Sequence, residues 1–209
     1  MAQRKVGVMS TYKTTCRQVF APLRLCDFLI FFVLLFFCPV LAFAEDCRAI
    51  QMAAELCLTG EGDAGFVASL SILEKQPVDE KKEKSIREHM VLCLVDSSNL
   101  LAASKNADIV IQISKDDLFL GAAWYQKASY AIFTKDYSTA LAFAKIALCY
   151  LEKANISAKE WLAFRDAFLG LSCDLRYKAF LALGDTQSAE KEKALAESFK
   201  NKLCGQLSF

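Results

Sequence analysis

Residues 114–153 read SKDDLFLGAAWYQKASYAIFTKDYSTALAFAKIALCYLEK, and this stretch decides the fold class. Ser114-Lys115-Asp116-Asp117 has the form of a capping box, which supplies acceptors for the free N–H groups at a helix start. The helix it predicts runs to about Thr134, with Leu118, Leu120, Trp124, Ala128, Ala131 and Ile132 available to a core. Lys135-Asp136 is a turn, and Tyr137 to about Lys153 repeats the helical period through Ala140, Phe143, Ala144, Ala147, Leu148 and Leu151. Two helices of similar length joined by so short a turn must lie antiparallel and side by side.

The flanking segments follow the same pattern. Asp46 to about Leu58 carries Ile50, Ala53, Ala54 and Cys57 at three- and four-residue spacing and stops at Thr59-Gly60-Glu61-Gly62. Asp63 is expected to cap a second helix with Phe66, Val67, Leu70 and Leu73 inward, ending before Pro77. Asp79 opens a third, polar through EKKEKSIREH and then inward-facing from Met90 to Val95. Asp108 to Ile113 is rich in β-branched residues, yet no partner strand is legible between 45 and 209, so it reads as the end of a buried helix. Ser157 with Glu160 forms a second apparent capping box, opening a long helix that breaks at Gly184-Asp185, and a last helix ends near Cys204-Gly205. Asn155-Ile156-Ser157 also spells an N-glycosylation sequon; capping by Ser157 is the preferred account of it. The expectation is an all-α protein of about seven helices.

A shift of 49 residues aligns Gly121 with Gly170, Ala131 with Phe180, Asp136 with Asp185, Ala140 with Ala189, Ala147 with Ala196 and Tyr150 with Phe199. Small residues that recur where helices cross are a mark of repeated helical hairpins. The spacing within each unit resembles the tetratricopeptide repeat. Trp124, Ala128, Ala131, Asp136, Tyr137, Ala140 and Ala147 fall on that family's W, G, Y, turn Asp, aromatic, A and A positions, as do Phe180, Gly184-Asp185, Ala189 and Ala196 in the second unit. The sequence departs from the pattern at Ala144 and Lys193, where an aromatic is expected, and its period exceeds the family's repeat of about 34 residues. Over Leu118 to Phe199 the resemblance implies a right-handed stack of antiparallel hairpins, a groove for a protein or peptide partner, and no chemistry of its own.

The N-terminus reads as a leader. Phe28 to Ala44, FLIFFVLLFFCPVLAFA, is uncharged and follows Arg4, Lys5, Lys13, Arg17 and Arg24. A basic segment, an apolar run and Ala42-Phe43-Ala44 make a signal peptide cut between Ala44 and Glu45, leaving residues 45–209 as one helical domain. The competing reading is an uncleaved anchor over 28–44, the only means by which the chain would meet a membrane. Pro39 disfavours it, because proline breaks the hydrogen bonding of a spanning helix. Export to a periplasm or to the cell exterior is the expected destination.

Beyond the leader there remain 20 basic and 23 acidic residues, a balance that recruits no nucleic acid. Of nine cysteines, Cys47, Cys57, Cys93, Cys149, Cys173 and Cys204 remain after cleavage, and in an oxidising compartment these six are disulfide candidates with 15 possible pairings. Cys47 with Cys57 is excluded: ten helical residues separate them by about 15 Å, against a reach of about 7 Å.

No catalytic constellation emerges. His89, the single histidine, reads as a solvated helix residue, no C-x-x-C occurs, and Gly60-Glu61-Gly62 lacks the rest of a phosphate loop. No cofactor or metal is expected, and an enzyme is the least favoured class. The favoured function is an exported adaptor or scaffold that grips a protein or peptide partner around Trp124, Tyr125 and Ala128. The alternative is a disulfide-stabilised structural bundle with no groove.

Overall fold

The computed structural model describes residues 52, 53, 56, 57, 61–75 and 78–206, of which 159, 160 and 204–206 by backbone alone. Among the described residues all regular structure is helical. The helices are α1 (Gly62–Lys75), α2 (Glu80–Met90), α3 (Leu100–Ile113), α4 (Asp117–Phe133), α5 (Tyr137–Lys153), α6 (Lys159–Leu183) and α7 (Thr186–Gln206), with residues 52, 53, 56 and 57 also helical. The expected helix over 108–113 is the C-terminal part of α3. The proposed leader, its cleavage point and Cys47 lie outside the described residues.

The 49-residue period is a structural repeat. In the α4–α5 turn the N–H of Asp136 donates to the Ala131 carbonyl, and in the α6–α7 turn that of Asp185 donates to Phe180, 49 positions on in each case. Lys135 to Ile132 and Gly184 to Leu181 repeat the relation, and Asp136 and Asp185 cap α5 and α7 through the N–H groups of Thr139 and Ser188. The crossing points match as well. A Cβ on Gly121 would meet Leu151 and the Ala147 carbonyl; one on Gly170 would meet Phe199 and the Ala196 carbonyl. Small residues at 121 and 170 thus let each pair of helices approach closely. Fully buried Ala140, Ala144 and Ala147 serve α5 in the same way against α4 and α6.

The main core joins Val91, Leu92, Ala107, Val110, Leu118, Ala122, Ala123, Leu151, Phe168 and Leu169. A second core at the N-terminal end gathers Phe66, Ile72, Ile86, Met90 and Ala103 around the Cys57–Cys93 disulfide. Between the cores runs the segment 91–99. It is not the tail of a helix, as the sequence suggests, because α2 ends at Met90 and Val91, Leu92 and Cys93 enter the interior in a turn. Their carbonyls need a donor there, since a buried carbonyl without one costs about 1–3 kcal/mol. Gln126 of α4, itself buried, supplies it: Nε2 donates to the Val91 and Cys93 carbonyls.

Other local expectations are corrected. Asp63 lies inside the first turn of α1, and its Oδ1 accepts from the Asp96 N–H and the Asn99 side chain at 2.8 and 2.9 Å. Of the residues expected inward, Phe66 is buried and Leu70 and Leu73 pack on the same core, but Val67 is exposed, and Gly65, Ser69 and Ile72 complete the buried face. Neither capping box forms as read. Asp116 caps α4 through the Leu118 N–H, while Ser114 Oγ donates to Glu88 and accepts from Asp116. At α6 the cap position is Ala158, with no side-chain bond, and Ser157 stands one residue too early to serve.

Candidate functional site

A cleft of about 360 Å³ opens between α3, α4 and α5. Leu101, Ser104, Lys105 and Asp108 line it from α3, a stripe at helical spacing. Lys127, Tyr130, Ala131 and Thr134 line it from α4 with the same spacing, and Asp136, Thr139 and Phe143 close it from the start of α5.

Its centre is an ion pair between Lys127 and Asp108, drawn from two helices. The Lys127 side chain is mostly buried, with its ammonium 5.6 Å from the Phe143 ring centroid, whereas the Asp108 side chain is half exposed. The cation is therefore built into the wall, seated on an aromatic face that attracts it, and the carboxylate covers it from the solvent side. Phe143 is held in turn by Trp124, centroid to centroid 5.2 Å. Hydrogen bonds from the Thr139 hydroxyl and then its N–H hold the Asp136 carboxyl below the usual range, with Ser138 adding to them, so this group stays ionised as the α5 cap. Thr134 Oγ1 is committed to the Tyr130 and Ala131 carbonyls. Leu101 remains half exposed and Lys105 exposed at the rim. The lining sets polar groups that already have partners beside the apolar Leu101 and Phe143.

The residues singled out from sequence separate. Trp124 borders the cleft through Phe143. Tyr125 faces the other way, in an edge-on contact with Phe168 of α6 at 5.2 Å. Ala128 is wholly buried with Ala144 and Leu175, out of a partner's reach. The lining stripes carry no signal in the sequence, because alternating Ser, Lys, Asp and Thr on a helix face looks the same whether the face is open or roofed by a neighbour.

His89 is corrected too. Its ring is half-buried rather than solvated, bonded through Nδ1 to the Ser85 carbonyl at 2.7 Å and set 5.8 Å from Phe119 and 6.4 Å from Trp161. Of the candidate cysteines, Cys57 and Cys93 are joined, with Cα atoms 4.5 Å apart; Cys149 is a free exposed thiol and Cys173 a free buried one. Burial, with Glu192 beside it, pushes the Cys173 thiol up to about 11, which leaves it protonated and unreactive at neutral pH. Among the described residues no group of three His, Cys, Asp or Glu side chains is arranged to hold a metal ion, and no helix is long and apolar enough to cross a membrane.

Comparison with protein-family models, with curated protein sequences and with solved structures finds no match for this chain.

Proposed function

We propose that the protein is an exported adaptor, built from tetratricopeptide-like hairpins, that grips an extended segment of a partner protein in the α3–α4–α5 cleft. The observation that carries this reading is Leu101, half exposed at the mouth of a cleft whose floor is otherwise satisfied by its own ion pair and caps. Covering the exposed half of an apolar side chain at the rim of a recess favours association. The Cys57–Cys93 bond supports an extracytoplasmic location, since structural disulfides persist in oxidising compartments. The same bond is what a purely structural bundle would use, and that second reading leaves the cleft without a role.

The test is site-specific photo-crosslinking in the cell that makes the protein, with a photoreactive amino acid at Leu101 and, as control, at Leu195 of α7, which is similarly exposed. Discrete adducts from 101 alone, lost on Tyr130→Ala, are expected. Adducts absent from both positions, or equal at both, would leave the structural bundle as the better reading.

A further inference from the structure

The connection between α5 and α6 contains Asn155-Ile156-Ser157, the single Asn-x-Ser/Thr triplet in the chain. Three observations bear on it. The segment is irregular and extended: Ala154 closes α5 with ψ 113°, and Ala158 opens α6 with φ −84° and ψ 130°. Its side chains alternate as extended backbone requires, Ala154 buried, Asn155 exposed, Ile156 packed on the main core, Ser157 exposed. Finally, the competing task for Ser157 is not taken up, because α6 starts without a side-chain cap, and neither Asn155 nor Ser157 engages a side-chain hydrogen bond among the described residues.

We propose that Asn155 is an acceptor for an N-linked oligosaccharide in a cell whose export route carries the lipid-linked donor. The sequon is fully presented, with both functional side chains outward and the middle residue anchoring the loop. In the transfer, Asn155 Nδ2 attacks the anomeric carbon of an oligosaccharide carried on a polyprenyl diphosphate. The new N–C bond forms as the anomeric C–O bond to the diphosphate breaks; the amide gives up one proton, and the polyprenyl diphosphate leaves with the bonding electrons. Donor and transferase belong to the compartment, and Ser157 supplies the hydroxyl by which the triplet is recognised. The site rests on the export reading, with which the disulfide agrees.

Its place in the fold matters to the cleft. Asn155 follows the C-terminus of α5, whereas Asp136 and Thr139 of the cleft sit at its N-terminus, and 17 helical residues span about 25 Å. A glycan at 155 therefore crowns the opposite end of the bundle and leaves the cleft open.

The experiment expresses the full chain in a eukaryotic secretory host twice, once with its own leader and once with residues 1–44 replaced by an efficient secretion signal. Intact mass of the secreted product is read before and after peptide-N-glycosidase. One glycan is expected, removed by the enzyme with conversion of Asn155 to aspartate, absent in Asn155→Gln and in Ser157→Ala, and retained in Ser157→Thr. Circular dichroism of the variants confirms that they fold. A secreted, folded product of bare polypeptide mass from the replaced-leader chain overturns the proposal. A glycosylated replaced-leader product beside an own-leader chain that stays in the cell upholds the site and overturns export.

Discussion

Lys135 and Gly184, 49 residues apart, occupy the same left-handed backbone position in the two hairpin turns, with φ 64° and 84°. Only the second is a glycine. A side chain in this region costs about 1 kcal/mol relative to glycine, and a Cβ at 184 would touch nothing within 4 Å, so backbone conformation alone sets the difference. Lys135→Gly is expected to stabilise the fold and Gly184→Ala to destabilise it, each by about 1 kcal/mol, in urea unfolding monitored by circular dichroism.

The two crossing glycines differ in the opposite sense. At Gly121 a Cβ would lie 2.6 Å from Leu151 Cγ, and Leu151 is fully buried and cannot retreat; at Gly170 the nearest atom is Phe199 Cβ at 3.1 Å. Alanine gains about 1 kcal/mol of helix propensity over glycine at either place. Gly170→Ala should therefore be close to neutral, while Gly121→Ala should lose about 1–2 kcal/mol net from overpacking. Thermal unfolding of the two variants side by side tests this ordering.

The Cys57–Cys93 bond closes a loop of sequence separation 36, for which chain entropy gives about 3–4 kcal/mol. Cys57→Ala with Cys93→Ala should lower the urea midpoint accordingly. Alkylation of the native protein, read by peptide mapping, should mark Cys149 and spare Cys173 until the protein is unfolded.

Gln126→Leu keeps approximate volume but leaves the Val91 and Cys93 carbonyls without their donor. A loss of about 2–3 kcal/mol is expected. Hydrogen exchange should show loosening around residues 91–99 ahead of α6 and α7.

Asp166 is buried between α6 and α7. Burial alone would raise its carboxyl, but hydrogen bonds from Lys202 and Arg165, then their charges, more than offset this and hold it below the usual range. A carboxyl with a depressed folded pKa contributes stability that is complete above its unfolded value, about 3.9, and is lost as pH falls through the folded value. The melting temperature should therefore be insensitive to this group from neutral pH to about pH 4 and fall below that. Lys202→Met removes part of what offsets burial, so the stability lost on acidification through this group should shrink; an unchanged acid limb would show that the Lys202 pair contributes nothing.

Helical class, the turn at 135–136 and the 49-residue period were all legible in the sequence, because periodicity, capping residues and small residues at crossings are local or repeat at fixed intervals. The all-α expectation held even for the β-branched run at 108–113. Of the helix over 46–58 only residues 52, 53, 56 and 57 are described, and these are helical, while the leader lies outside the described residues. The boundaries that failed at Asp63, at Ser114 and after Met90 are places where a distant group competes for the same atoms: Asn99 and Asp96 for the Asp63 carboxylate, Glu88 for the Ser114 hydroxyl, Gln126 for the carbonyls of a buried turn.

The cleft was the least legible feature, because its chemistry depends on which helix roofs which polar stripe. Lys127 and Asp108 look like two solvated charges, and only the packing of α3 on α4 makes them one pair over Phe143. Residue order set the helices and their repeat, since those follow from interactions a few residues apart. Tertiary packing alone joined Cys57 to Cys93, lodged Gln126 beneath the turn, enclosed the cleft and left Asn155 and Ser157 facing solvent, because each of these is decided by groups far apart in the chain.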